Sequence, residues 1–163
     1  MGMIEDAMEE ANRALEVNNN SPIPFTNLAE ILVLIGKPKE AIEILEKGIA
    51  VAGRTPWMLS HLCCALEADG RSADARRVYE EMLQMANVGY VAPITLGRAS
   101  VALGKLDEAF AYYDKALAEH NQGFQVFKHN EKFWSKVGGP KYISAFRNDP
   151  RYQKLMARLA FPD

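Results

Sequence analysis

The chain has 163 residues, 48% of them apolar and 25% charged, with a net charge of −2: enough to bury one continuous core, and without the overall basic excess that draws nucleic acid. Its longest aliphatic run, residues 31–35, is too short to span a bilayer, and the N-terminus lacks the three-part layout of a secretory leader. The only two cysteines, Cys63 and Cys64, are adjacent and cannot staple distant parts of a fold, so reduced thiols, a cytoplasmic location and no membrane contact are expected.

Charge is divided unevenly. Residues 1–120 carry 11 Lys/Arg against 18 Asp/Glu, whereas residues 121–163 carry 8 against 3. Only the tail is basic.

In chain order, MGMIEDAMEEANRAL (1–15) predicts a helix with Ile4, Met8, Ala11 and Leu15 on one face. Phe25, Leu28, Ala29 and Leu32 form the next apolar face, and after the turn GKPK a third follows with Ala41, Ile42, Leu45 and Ile49. The pattern IGKPKEAIEILEKGI (35–49) returns as DGRSADARRVYEEML (69–83) and as LGKLDEAFAYYDKAL (103–117). Gly2, Gly36, Gly70 and Gly104 then share one column, and Ala7, Ala41, Ala75 and Ala109 another, each step being 34 residues. Further columns hold Leu15, Ile49, Leu83 and Leu117, and Leu28, Leu62 and Leu96.

Each period is therefore a helical hairpin with glycine at its turn, where a left-handed residue ends the first helix at no Cβ cost. The small columns, Ala41/Ala75/Ala109 and Ala29/Cys63/Gly97, fall where two helix backbones approach closely. Such hairpins cannot bury their faces alone; stacked, they form a solenoid.

Gly97, Gly104, Ala109, Tyr113 and Ala116, with Cys63, Gly70, Ala75, Tyr79 and Met82 one unit earlier, resemble the tetratricopeptide repeat (TPR) family in spacing and type. The resemblance covers residues 1 to about 121 and implies an all-α, right-handed superhelical solenoid with no catalysis of its own. The family's Trp and early Tyr are absent: Phe25, Leu59 and Pro93 fill the first column, and Leu32, Leu66 and Ser100 the second. Its late proline is displaced to Pro22 and Pro56. The expected organisation is a half repeat at 1–20, repeats at about 22–55, 56–89 and 90–121, and a helical cap at 122–163. The half repeat supplies a second helix without its first, so its edge is expected either to continue an N-terminal part of a longer protein or to be covered by self-association.

Past residue 121 the repeat pattern fails, Ile143 replacing the alanine and Gly138-Gly139-Pro140 breaking any helix. In FRNDPRYQKLMARLAFP, Asp149 reads as an N-cap, Pro150 as the first helical residue, and Tyr152, Leu155, Met156 and Leu159 as the apolar face. Phe146-Arg147, Asp149 to Tyr152, Leu155-Met156, Arg158-Leu159 and Pro162 also resemble the C-terminus of bacterial multidomain regulators, where a TPR array follows an adenylate cyclase, winged-helix or kinase domain. That resemblance implies a sensory, regulatory or oligomerisation role for the chain.

For chemistry the sequence offers little. His61, His120 and His129 lack ligands at metal spacing, Cys63-Cys64 lacks the CxxC spacing of redox pairs, and no glycine loop cradles phosphate. No enzyme activity, metal or cofactor is expected. The resemblance directs attention instead to a concave groove lined by the first helix of each unit, with Ile23, Thr26, Asn27 and Glu30, then Trp57, Ser60, His61, Cys64 and Glu67, then Val91, Ile94, Thr95 and Arg98. Members that grip a chaperone's C-terminal carboxylate use Lys, Asn and Arg where this chain has Thr26, Glu30, His61, Val91 and Thr95, so no such clamp is expected. The expected partner is a protein, bound as a peptide or helix by Asn27, Glu30, Trp57, His61, Glu67 and Arg98. Trp57 is read either as the aromatic anchor of that groove or as the first core residue of its helix. The basic tail, with Lys128, Lys132, Lys136, Lys141, Arg147, Arg151, Lys154 and Arg158 among aromatics, could contact nucleic acid; a packed cap with solvated lysines is the preferred reading.

Overall fold

A computed structural model describes residues 2–18, 20–119, 123, 140 and 142–159. Nine helices are defined among them: α1 (Gly2–Val17), α2 (Pro22–Leu34), α3 (Pro38–Ala52), α4 (Pro56–Ala68), α5 (Ser72–Val88), α6 (Pro93–Ala102), α7 (Leu106–Ala118), α8 (Ile143–Asn148) and α9 (Pro150–Arg158). No strand occurs among the described residues. The fold is an all-α, TPR-like solenoid.

The prolines displaced from the family position open helices. Pro22, Pro38, Pro56 and Pro93 each stand in the first turn, where the missing N–H costs nothing. Ser21 and Thr55 cap two of these helices, accepting from the amides of Ile23 and Met58.

Each hairpin turns through a glycine in the left-handed region, Gly36, Gly70 and Gly104 having φ of 80°, 77° and 70°. The next amide reaches back over the helix end, Lys37 to the Leu32 carbonyl at 2.8 Å, Arg71 to Leu66 at 2.9 Å and Lys105 to Ser100 at 2.9 Å. The same six-to-one bond closing three turns of unrelated composition explains why the glycine column never slips.

α2 and α3, α4 and α5, and α6 and α7 form antiparallel pairs, with α2, α4 and α6 stacked side by side. Ala41, Ala75 and Ala109 are fully buried, as is Cys63, whose thiol points at the carbonyls of Ala75 and Ala99. Gly97 meets the Tyr113 ring 3.2 Å from where a Cβ would stand. The small columns thus mark the closest helix approaches.

α1 lays Ala11 into the core and packs Ile4, Ala7, Met8 and Leu15 against it, while Glu5, Asp6, Glu9, Glu10 and Glu16 face outward. At the other end, Phe146 of α8 is fully buried and stacks on Phe110 of α7, with ring centroids 4.8 Å apart. Asp149 caps α9 by accepting from the Arg151 amide, as its sequence predicts, and Leu155 and Leu159 are buried beneath it. Arg151 also reaches Asp107 of α7 at 2.7 Å, and Arg158 pairs with Asp114. Three of the tail's cations, Arg147, Arg151 and Arg158, therefore belong to packed or paired elements; Lys128, Lys132, Lys136 and Lys141 lie outside the described residues.

Candidate binding face

On the face shared by α2, α4 and α6, four of the residues singled out in the sequence come together. Glu30 of α2, Trp57 and His61 of α4, and Arg98 of α6 are separated by up to 68 positions, yet the solenoid places them side by side. The 34-residue period is the reason: equivalent positions of successive first helices become neighbours across the stack.

The chemistry of the cluster is determined by which atoms can only give and which can only accept a proton. The Trp57 carbonyl, which can only accept, takes a bond from His61 Nδ1 at 2.9 Å and one from the Ser60 hydroxyl at 2.8 Å. His61 Nδ1 therefore carries the proton. Its Nε2 is then a lone pair, and Arg98 Nη1 donates to it at 2.6 Å. Glu30 Oε2 lies 3.7 Å from Arg98 Nη1 and 3.9 Å from His61 Nε2. The guanidinium also sits 5.0 Å from the centre of the Trp57 ring, within cation–π range.

His61 is buried, and the side chains of Glu30 and Arg98 are only 15% and 16% exposed. Burial, and then the charge of Arg98, hold the His61 imidazole well below its ordinary pKa, so it is a neutral ring at physiological pH. Burial opposes the Arg98 charge, but attraction to Glu30 and its other neighbours more than offsets this and raises its pKa.

Trp57 is both a core residue and part of the face. It is partly buried, its Nε1 donates to Thr26 Oγ1 at 3.3 Å, and the hydroxyl of Thr26, a fully buried residue, donates in turn to the Ile23 carbonyl at 2.9 Å. Beside this network Asn27 is exposed on α2, as is Ile23, at 58%. Glu67 stands apart from the cluster, accepting from the Ser72 hydroxyl at the start of α5. Val91, Ile94 and Thr95 are buried.

Sequence reasoning missed one contributor. Tyr142, one residue before α8, is partly buried and packs against the cluster formed by Ile94, Phe110 and Phe146. Burial pushes the Cys64 thiol up to about 11. Tyr142 lies outside the period, so no column points to it. A separate cleft of about 230 Å³ between α3, α4 and α5 has Leu62, Leu66 and Val78 in its lining, and its ions pair among themselves, as in the two-pronged Arg54–Glu81 bridge at 2.5 and 2.8 Å.

Among the described residues no group of three His, Cys, Asp or Glu is placed to hold a metal, and no helix is long and apolar enough to cross a membrane. No curated protein matches the chain. Residues 25–54, spanning α2 and α3, and residues 94–118, spanning α6 and α7, match the family model of the tetratricopeptide repeat, a unit that generally mediates protein–protein interaction. With both matches lying on hairpins of one 34-residue spacing, the chain carries tetratricopeptide repeats at these two positions.

Proposed function

We propose that the chain binds a segment of a partner protein along the face made by α2, α4 and α6, without catalysis. The observation that carries this reading is the Glu30–His61–Arg98–Trp57 cluster. It is a charged, hydrogen-bonded floor built from three successive units, with the exposed Ile23 and Asn27 on its rim. A peptide strand or helix laid across the units meets an aromatic edge at Trp57, an apolar side chain at Ile23 and polar groups at Asn27 and Glu30.

Because Ile23 and Asn27 are exposed, Ile23→Asp and Asn27→Lys change the rim without emptying the core. Cross-linking mass spectrometry of the wild-type chain in cell extract should identify a partner joined to α2 or α4, and the double variant should lose most of that product while melting at the wild-type temperature. An undiminished cross-link to the same partner would place binding on another surface.

The alternative, a regulatory or oligomerisation end of a larger bacterial signalling protein, draws on residues 146–162. In the described part of that stretch, Phe146, Asp149, Arg151 and Leu155 dock α8 and α9 onto α7. Docking accounts for their pattern without an output domain, so the binding reading is preferred.

A further inference from the structure

Charge is segregated along the solenoid. α1 carries five carboxylates, Glu5, Asp6, Glu9, Glu10 and Glu16, against Arg13 alone, a net −4. Residues 18–141 carry 14 Lys/Arg against 14 Asp/Glu and sum to zero. Residues 142–159, which hold α8 and α9, carry Arg147, Arg151, Lys154 and Arg158 against Asp149 alone, a net +3. Folding does not ask for this, since like charges four apart on one helix, such as Asp6 and Glu10, weaken it.

The acidic end is also the uncovered one. Ala7 stands in the column of Ala41, Ala75 and Ala109, which are fully buried in the three complete hairpins, yet Ala7 is only partly buried. Met8 is likewise partly buried where Ile42 and Phe110 of its column are buried. Ala7, Glu10, Ala14 and Val17 follow one another along that side of α1 at three- and four-residue steps, with Glu10 and Ala14 exposed and Val17 83% exposed. At the other end Arg151, Lys154 and Arg158 are exposed along one side of α9 by the same spacing. Arg151 and Arg158 reach Asp107 and Asp114 of α7, but all four side chains are 43% to 94% exposed, and bridges of that kind are exchanged at little cost. Among the described residues Lys154 has no carboxylate partner.

We infer that copies of this chain associate head to tail, the uncovered acidic side of α1 in one copy meeting the basic side of α9 in the next. The occupant is a second copy because the chain carries the complement of its own acidic end. Pairing α1 with α1, or cap with cap, sets like charges together, so a two-fold contact is disfavoured. Contact between unlike ends leaves one of each free, and assembly continues past the dimer unless it closes into a ring. This goes beyond the binding reading and uses the ends of the solenoid, not the α2–α4–α6 face.

Sedimentation velocity of the full chain over a concentration series tests it. In about 50 mM salt the average mass should rise beyond that of a dimer; in about 500 mM salt, where the screening length is roughly a third as long, assembly should need about tenfold more protein. Asp6→Lys/Glu10→Lys brings α1 to zero net charge, and Gln153→Glu/Lys154→Glu does the same for residues 142–159 while leaving the bridges to α7 intact. All four side chains are exposed, so both variants should melt at the wild-type temperature. Each alone should stay monomeric where the wild type assembles. Mixed in equal amounts they should form a dimer and stop there, because only one native head and one native tail remain. A wild type that is monomeric throughout or halts at a dimer, assembly indifferent to salt, or a mixture of the variants that stays monomeric would overturn the inference. Should either variant melt early, the salt series on the wild type decides alone.

Discussion

His61 makes stability fall in mild acid, a sign that its burial and its contact with Arg98 determine. In the folded chain its Nε2 faces the guanidinium of Arg98 at 2.6 Å, and a proton added there would set one donor against another in a buried site. Its pKa therefore lies well below the ordinary value, burial being the larger cause and Arg98 the second. Glu30, 3.9 Å away, would favour the charged ring but is already engaged by Arg98. Unfolding releases the ring to titrate near 6.5, so below that pH the unfolded state binds one more proton than the folded state. Stability is then lost as pH falls, at about 1.4 kcal/mol per pH unit, until the folded pKa is reached. Between pH 7.5 and 5.0 the loss assigned to His61 is at most ~2 kcal/mol, the limit set by its unfolded titration. Urea midpoints measured at both pH values for the wild type and for His61→Gln isolate it, because glutamine offers a donor and an acceptor but does not titrate. The other titrating groups, including His120 and His129, are common to both chains and cancel in the difference. If His61→Gln loses as much stability as the wild type over this interval, the folded ring takes up its proton as readily as the unfolded one and the argument from burial and Arg98 is wrong.

Gly48→Ala should destabilise: its Cβ would stand 2.6 Å from Met58 Cε and 2.8 Å from Phe25 Cβ, an overpacking of about 1–3 kcal/mol that outweighs the roughly 1 kcal/mol gained in helix propensity. Thermal melting reads this as a lowered midpoint. Ala75→Leu should cost about 1–3 kcal/mol at a fully buried helix contact, whereas Ala73→Leu, exposed on the same helix, should leave the urea midpoint within about 0.5 kcal/mol of wild type. Phe146→Ala removes a fully buried ring at a cost of about 3–5 kcal/mol. Hydrogen exchange should then quicken in α8 and α9 while α2 to α5 keep their protection, and uniform quickening would show that the cap is not a separate unit.

The hairpins were readable in the sequence because one local rule repeats: glycine in the left-handed region, an alanine where helices close, a leucine facing inward. Gly36, Gly70 and Gly104 fulfil it three times, and Ala41, Ala75 and Ala109 are all fully buried. Glu30, Trp57, His61 and Arg98 could be placed on one face by the same period, but their partners could not. The Arg98–His61 and Glu30–Arg98 contacts depend on side-chain reach across the stack. Asn27 and Glu67 share the periodicity of these residues yet sit outside the cluster, one exposed and one bonded to Ser72. Periodicity sets which face a residue occupies, not whether its side chain turns toward solvent or a neighbour.

The cluster also bears on why the middle units tolerate such divergence from the family pattern. Where the repeat it resembles has large aromatic residues, the first helices of these units carry Leu59, Pro93, Leu66 and Ser100. A hydrogen-bonded set linking α2, α4 and α6 supplies a different constraint, one that depends on direction as well as distance. His61 can satisfy both Trp57 and Arg98 in only one tautomer and one ring orientation, and Arg98 can meet both His61 and Glu30 only if α2 and α6 flank α4 at this stagger. Buried ionic groups add little net stability over apolar ones of equal size, but a half-satisfied set is costly, so wrong staggers are penalised more than the right one is rewarded. On this view the groups that give the face its binding chemistry also hold the three units in register.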